Sequence, residues 1–362
     1  MTADMNSLLN AEILICIGSG GVGKTTIAAT LGVMAAQQGK RVLVLTIDPS
    51  KRLASTLGIE GRTDVVLVPG QNFKGQLYAS VIDHKQTFDE FVYRAAENAG
   101  SISLADKILK NKLYQQLSTN LSGSQDFTSL EKLYSSVQSK KYDLVILDTP
   151  PTQHAIDFLK APQKLSALFN EKITKWFIDP SGQKKSIFIN LLHLGTKQVL
   201  KILESLTGSE FITQLIDFFA NIEKWQGHLY QRTIEFHRML TAPTTRFCLV
   251  TSFDMAKVKE AEYFVKELKK GGFDLNTIIF NRSFPDWLSQ ADTDFQNEPM
   301  KNLYIQIKDY YLQKNDVFEQ FQKQFLAHIH FYKIPDMVQD IADLNGLENV
   351  SKFIKKAEGS IL

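Results

Sequence analysis

The segment Gly18-Ser19-Gly20-Gly21-Val22-Gly23-Lys24-Thr25 constrains this chain more than any other. It follows the apolar run ILICI (13–17) and opens an alanine-rich stretch, TTIAATLGVMAAQQG, that stops at Gly39. Closely spaced glycines between a strand and a helix let consecutive backbone N–H groups turn inward around an anion. The helix N-terminus behind them adds partial positive charge. A match to G-x-x-x-x-G-K-[ST] arises by chance in a chain of 362 residues roughly one time in a hundred. The strand before it and the helix after it give the pattern its meaning. Phosphate oxygens are the expected guests, with Lys24 reaching the β- and γ-phosphates of a nucleotide and the Thr25 hydroxyl a ligand to Mg²⁺. A second apolar run, RVLVLTI (41–47), completes a βαβ unit whose crossover should be right-handed.

Further short apolar runs follow: LYASVI (77–82), YDLVIL (142–147), RFCLVT (246–251), NTIIFN (276–281) and IHFYKI (329–334). Most carry four or five apolar residues without polar alternation, the pattern of strands buried on both faces. The fold class expected is α/β, a mostly parallel sheet flanked by helices. The long gaps, approximately 84–140 and 154–243, read as helical insertions in a single domain spanning 1–362. Within the second gap, IFINLLHLGTKQVLKILESL and FITQLIDFFANIEKW each carry an apolar helical face.

Composition narrows the chemistry. Lys and Arg number 41 against 39 Asp and Glu, so no overall charge draws the chain to nucleic acid. Two cysteines cannot form a disulfide framework or a four-cysteine metal site. Both lie within apolar runs, Cys16 in ILICI and Cys248 in RFCLV, where cysteine usually acts as a small hydrophobe. No window approaches the ~18 uninterrupted apolar residues of a membrane span. The N-terminus lacks the basic region of a signal peptide. The expectation is a cytoplasmic protein without stable membrane insertion.

Two aspartates end strands at the edge where open α/β sheets bind ligands. Asp48 closes RVLVLTI and Asp148 closes YDLVIL. Asp148 suits a role behind Mg²⁺ through a water, and Asp48 is free to orient or deprotonate an attacking water. An aspartate at such a place also commonly caps a helix.

With GSGGVGKTT at 18–26, DPSKRL at 48–53, DTPPTQHAIDFL at 148–159, FNR at 280–282 and IPDMVQDIADLNGLENV at 334–350, the chain resembles the ArsA family of P-loop ATPases with a deviant Walker A loop. That family includes the arsenite-pump ATPase and the ATPase that delivers tail-anchored membrane proteins. The wording of DTPPTQH and DPSKRL looks most like its bacterial ArsA-like members. The resemblance spans nearly the whole chain. It implies ATP and Mg²⁺ as cofactors, with Gly20, Gly21, Val22, Gly23, Lys24, Thr25 and Thr26 around the phosphates and metal. Asp48, with Pro49 and Arg52, falls in switch I as the water-activating residue. Asp148 and Thr149 begin switch II, which contains His154. Asn281 is implied to recognise adenine, with Pro335 closing over the base. The sequence also lacks any [NT]-K-x-D signature for guanine.

Three departures from the family pattern matter. Ser19 stands where such loops carry a lysine that reaches the partner subunit's phosphates. That predicts slow hydrolysis, since fingers of this kind are worth ~10³–10⁵ in rate. A small residue there is also ordinary for simple P-loops, and a paralogous partner could supply the missing lysine. The cysteines required for arsenite gating or an interface zinc are absent. Arg52 replaces an asparagine usual in the targeting ATPases.

The region 154–243 holds eight phenylalanines and one methionine, Met239. It reads more as an aromatic core than as a methionine-lined groove for clients. His328 and His330 mark one solvated face of a strand. The tail SKFIKKAEGSIL has too short an apolar face for membrane anchoring.

The reading is therefore a dimeric, nucleotide-switched ATPase that couples ATP to a protein partner or hydrophobic client. Beside it stand a catalytically weak subunit of a heterodimer and the energising subunit of an anion pump.

Overall fold

The apolar runs become strands of one sheet. The computed structural model describes residues 3–47, 52–60, 62–98, 102–111, 114–115, 122–150, 156, 158–160, 226–285, 288, 295, 297–325, 329–337 and 341–357. Its strands are β1 (Ile13–Gly18), β2 (Arg41–Thr46), β3 (Val66–Leu67), β4 (Gln76–Val81), β5 (Leu144–Asp148), β6 (Thr245–Ser252), β7 (Leu275–Ser283), β8 (His330–Pro335) and β9 (Lys355–Lys356). Their order is β3-β4-β2-β5-β1-β6-β7-β8-β9. From β4 to β8 every pairing is parallel. The two-residue edge strands β3 and β9 run antiparallel; β3 lies within the apolar run VVLV (65–68), which was not among the expected strands, and β9 lies in no such run.

The described helices are α1 (Ala3–Leu9), α2 (Lys24–Gln37), α3 (Arg52–Thr56), α4 (His84–Asn98), α5 (Ile102–Leu109), α6 (Ser122–Gln138), α7 (Gln226–Leu240), α8 (Met255–Gly271), α9 (Glu298–Phe325) and α10 (Leu344–Phe353). The chain divides into two compact units. Met1–Ile82, Ser135–Asp157 and Leu240–Leu362 form the first, which contains the sheet. Asp83–Tyr134 and Phe158–Met239 form the second. The segments IFINLLHLGTKQVLKILESL and FITQLIDFFANIEKW lie outside the described residues, as does His328.

In the sheet unit, β1 and β5 are buried at every position, as strands covered on both faces must be. Helix α2 is apolar around most of its circumference and buried from Ile27 to Ala36. It packs against the sheet on one side and α10 on the other. Cys16 and Cys248 are fully buried and lie side by side in the β1–β6 register. His330 is half-exposed, its Nδ1 3.5 Å from the Asp4 carboxylate.

The helical unit is packed by aromatic rings. Phe88, Phe91 and Phe127 meet edge-on or tilted, and Phe127 continues to Phe236. Beside them, buried Glu131 takes Arg94 at 2.9 Å and Arg232 at 3.2 Å. Burial pushes the Glu131 carboxyl up to about 7, outweighing the two arginines.

Candidate functional site

The glycine-rich loop leaves the C-terminal end of β1, the strand between β5 and β6 in the centre of the sheet. Two close approaches explain its glycines. A Cβ on Gly18 would stand 2.2 Å from the Val250 carbonyl oxygen, so only glycine lets the loop lie against β6. Gly23, just before α2, has φ +86°, and a Cβ there would stand 2.4 Å from Asn281 Nδ2. No side chain caps the start of α2, so its first N–H groups face the loop, the arrangement that attracts anions.

Asp148 draws the polar groups together. It ends β5 level with Cys16 of β1 and Thr46 of β2, and it is fully buried. Its Oδ2 accepts from the hydroxyls of Thr25 at 2.6 Å and Thr46 at 3.1 Å. Its Oδ1 lies 3.4 Å from Lys24 Nζ and is otherwise without a hydrogen-bond donor. Burial raises the carboxyl above its ordinary range, while Lys24, Thr25 and Thr46 oppose that shift. A buried carboxylate oxygen without a full donor, beside a threonine hydroxyl, is the oxygen-rich environment that suits a hard divalent cation.

Lys24 is itself only 7% exposed, and its ammonium donates to the Thr149 carbonyl. The Thr149 hydroxyl and backbone N–H both donate to the carbonyl of Cys16, at 2.9 Å and 3.2 Å. The start of the segment after β5 is thus tied to the loop lysine and to β1. At the end of β2, Ile47 N–H donates to the Asp148 carbonyl at 3.3 Å, delivering the chain toward the same edge.

The expected site residues divide into three groups. Lys24, Thr25, Asp148 and Thr149 meet as described, with Gly20, Gly21, Val22, Gly23 and Thr26 on the loop and first turn. Asn281 comes to the loop too. Its amide donates to the Val22 carbonyl at 2.8 Å, which holds the side chain against Gly23. The β7–β8 register slips between Phe280 and Ser283, and Arg282 takes a left-handed φ of 57°. This local irregularity re-aims the strand end, as bulges do. Pro335 closes β8 opposite Ser283, and the Asp336 N–H donates to the Ser283 carbonyl at 3.0 Å. The third group, Asp48, Pro49 and His154, lies outside the described residues, and Arg52 is described only as the first residue of α3.

Three participants escaped the sequence reading. Thr46 left a signal, being a hydroxyl at the end of an otherwise apolar strand. Glu260 and Lys257 left none, since each looks like a solvated position on α8. In the structure Glu260 accepts from the Ser19 hydroxyl, and Lys257 Nζ reaches the other Glu260 oxygen at 3.4 Å. Ser19 is only 3% exposed, so residue 19 faces α8.

Known proteins resemble this chain over most of its length. Residues 11–356 match the family model described as anion-transporting ATPase. Among curated relatives, ATPase GET3 of Kluyveromyces lactis is 25% identical, over 98% of this chain and 93% of its own length. ATPase ASNA1 homolog 2 of Paramecium tetraurelia is 25% identical, over 94% and 92% of the two chains. Putative arsenical pump-driving ATPase 1 of Aquifex aeolicus is 23% identical, over 95% of this chain and 78% of its own.

Proposed function

The chain belongs to the anion-transporting ATPase family and is an ATP-binding, ATP-hydrolysing enzyme, and on that premise we propose that it is a dimeric switch coupling nucleotide state to a protein partner. The observation that carries this reading is the tie between Lys24 and the Thr149 carbonyl. The loop lysine holds the first residue of the segment that leads on to Phe158, where the chain re-enters the helical unit. A γ-phosphate that recruits Lys24 must loosen or replace that tie, so nucleotide occupancy and the conformation after β5 are linked.

In this reading the N–H groups of Gly20 to Thr26 and the Lys24 ammonium orient the phosphates. Thr25 and Asp148 would hold Mg²⁺, which would supply positive charge to the phosphates. Asp48 accepts a proton from the attacking water. Asn281 releases the Val22 carbonyl to meet the adenine edge, and Pro335 borders the base. Pro49, Arg52 and His154 move with the two switches. The helical unit, made of the two insertions, binds a hydrophobic protein client or a membrane-protein partner. The partner subunit is a second copy or a paralogue. Ser19, buried and uncharged, keeps the paralogue reading alive, in which this chain hydrolyses slowly alone. No described helix is long and apolar enough to cross a membrane. Full burial of Cys16 and Cys248 in the sheet disfavours a thiol-gated pump.

The test is single-turnover ATP hydrolysis by the purified chain, with Mg²⁺ and after its removal, beside Asp48→Asn and Asp148→Asn. Metal removal and either variant should lower the rate by about 10² or more. Light scattering with a non-hydrolysable ATP analogue should report a dimer. Full activity in Asp48→Asn would overturn the base assignment, and a monomer at every nucleotide state would overturn the switch.

A further inference from the structure

Phosphoryl transfer spreads negative charge over the equatorial oxygens of the γ-phosphate, and catalysis consists largely of placing positive charge there. Lys24 supplies one charge, from a buried seat shared with Asp148 and Thr149. Residue 19 supplies none, because it is serine and its hydroxyl is given to Glu260. Glu260 instead brings a negative charge to the shoulder of the loop, which would oppose an incoming phosphate unless a cation accompanies it. Lys257 is that cation. One Glu260 oxygen accepts from Ser19 and the other faces Lys257 Nζ at 3.4 Å, so a single carboxylate separates the lysine from the loop.

The backbone of Lys257 is fixed relative to the loop. It lies in the first turn of α8, which Asp254 caps by accepting from the Ala256 N–H at 2.9 Å. Thr251, one residue before the end of β6, donates its hydroxyl to the Lys257 carbonyl at 3.2 Å. Strand β6 in turn presses Val250 against Gly18. The side chain, by contrast, is free to move. The pair with Glu260 is long, and the two side chains are 30% and 41% exposed, conditions under which ion pairs are weak. A flexible four-carbon stem can exchange one acidic partner for a stronger one.

We propose that Lys257 is a further catalytic residue, whose ammonium leaves Glu260 for the γ-phosphate oxygens of ATP held by the loop of the same chain and supplies there a charge in place of the one that a residue-19 lysine would bring from a partner subunit. The proposal rests on ATP hydrolysis at this loop, and the two can fail separately. If Lys24→Ala abolishes ATP binding while Lys257→Ala hydrolyses at the wild-type rate, only the Lys257 assignment falls.

The experiment measures kcat for ATP and the Kd of a fluorescent ATP analogue on the full chain. The variants are Lys257→Ala, Lys257→Arg and Lys266→Ala, the last being an exposed lysine further along α8. Lys257→Ala should lower kcat about tenfold or more, by comparison with other transition-state donors, and leave Kd within about twofold. Arginine should restore much of the rate, and Lys266→Ala should keep all of it. Wild-type kcat in Lys257→Ala overturns the proposal. So does a loss of affinity equal to the loss of rate, or an equal loss in Lys266→Ala, which would mark a general charge effect. Should alanine unfold α8 by circular dichroism, Lys257→Gln keeps the aliphatic stem and decides by the same criteria.

Discussion

Replacing Gly23 by alanine tests how the loop is seated. Gly23 has φ +86°, where a residue with a Cβ costs about 1–2 kcal/mol. The new Cβ would also lie 2.4 Å from Asn281 Nδ2, so that side chain must move. Moving it breaks the 2.8 Å bond to the Val22 carbonyl, worth about 0.5–1.5 kcal/mol. The total expected for Gly23→Ala is about 2–3 kcal/mol. Gly21→Ala is the control for strain alone. Its φ is +78° and nothing lies within 4 Å of its Cβ position, so the cost should be about 1–2 kcal/mol. Asn281→Ala should cost about 1 kcal/mol. The double variant Gly23→Ala/Asn281→Ala loses the same bond only once and has no amide to displace, so it should be no worse than Gly23→Ala. That is a coupling of about 1 kcal/mol, beyond the few tenths seen for independent sites. Urea unfolding followed by circular dichroism measures each value, with an unchanged slope required for the comparison. Additive costs, or a Gly23→Ala no worse than Gly21→Ala, would refute the seating of Asn281 on the loop.

Two further outcomes follow from buried groups. Glu131 carries a carboxyl raised to about 7 from 4.5 by burial, so the folded chain holds its proton where the unfolded chain has lost it. Its contribution is fully present below about pH 4.5 and is lost as pH rises through about 7, by up to about 3 kcal/mol. Stability of Glu131→Gln relative to wild type should therefore rise across that window. Taking the difference removes His84, whose lowered pKa, caused by burial, gives a slope of opposite sign. A flat difference would show that the arginines keep Glu131 ionised. Cys16 is pushed well above the ordinary thiol range by the Cys248 hydrogen bond and by burial. Neither thiol should react with an aromatic disulfide reagent in the native chain, and both should react in denaturant. Rapid native labelling would contradict their burial.

Much of the molecule was legible because its signals are local. Runs such as ILICI and RVLVLTI have the length and unbroken apolarity of strands covered on both faces, and they appear as β1 and β2. Lys24 and Thr25 were legible because loop, strand and helix are contiguous. Asp148 was legible because it ends an apolar run. The short edge strand β9 was not, since two lysines carry no apolar period. Arg282 in its left-handed turn was not, since nothing marks an arginine for that conformation.

By itself the sequence determined that the chain builds a mostly parallel α/β sheet with a glycine-rich loop at its centre, and which family it belongs to. Those facts rest on contiguous residues and on periods of burial. Only the tertiary structure decided what the loop touches. Ser19 meets Glu260 across 241 positions, and Asn281 meets Val22 across 259. No local pattern encodes such pairs, because each depends on the order in which strands enter the sheet and on where the following helix begins. The same holds for Lys257, which reads as a surface charge along the chain and stands, through Glu260, at the shoulder of the glycine-rich loop in space.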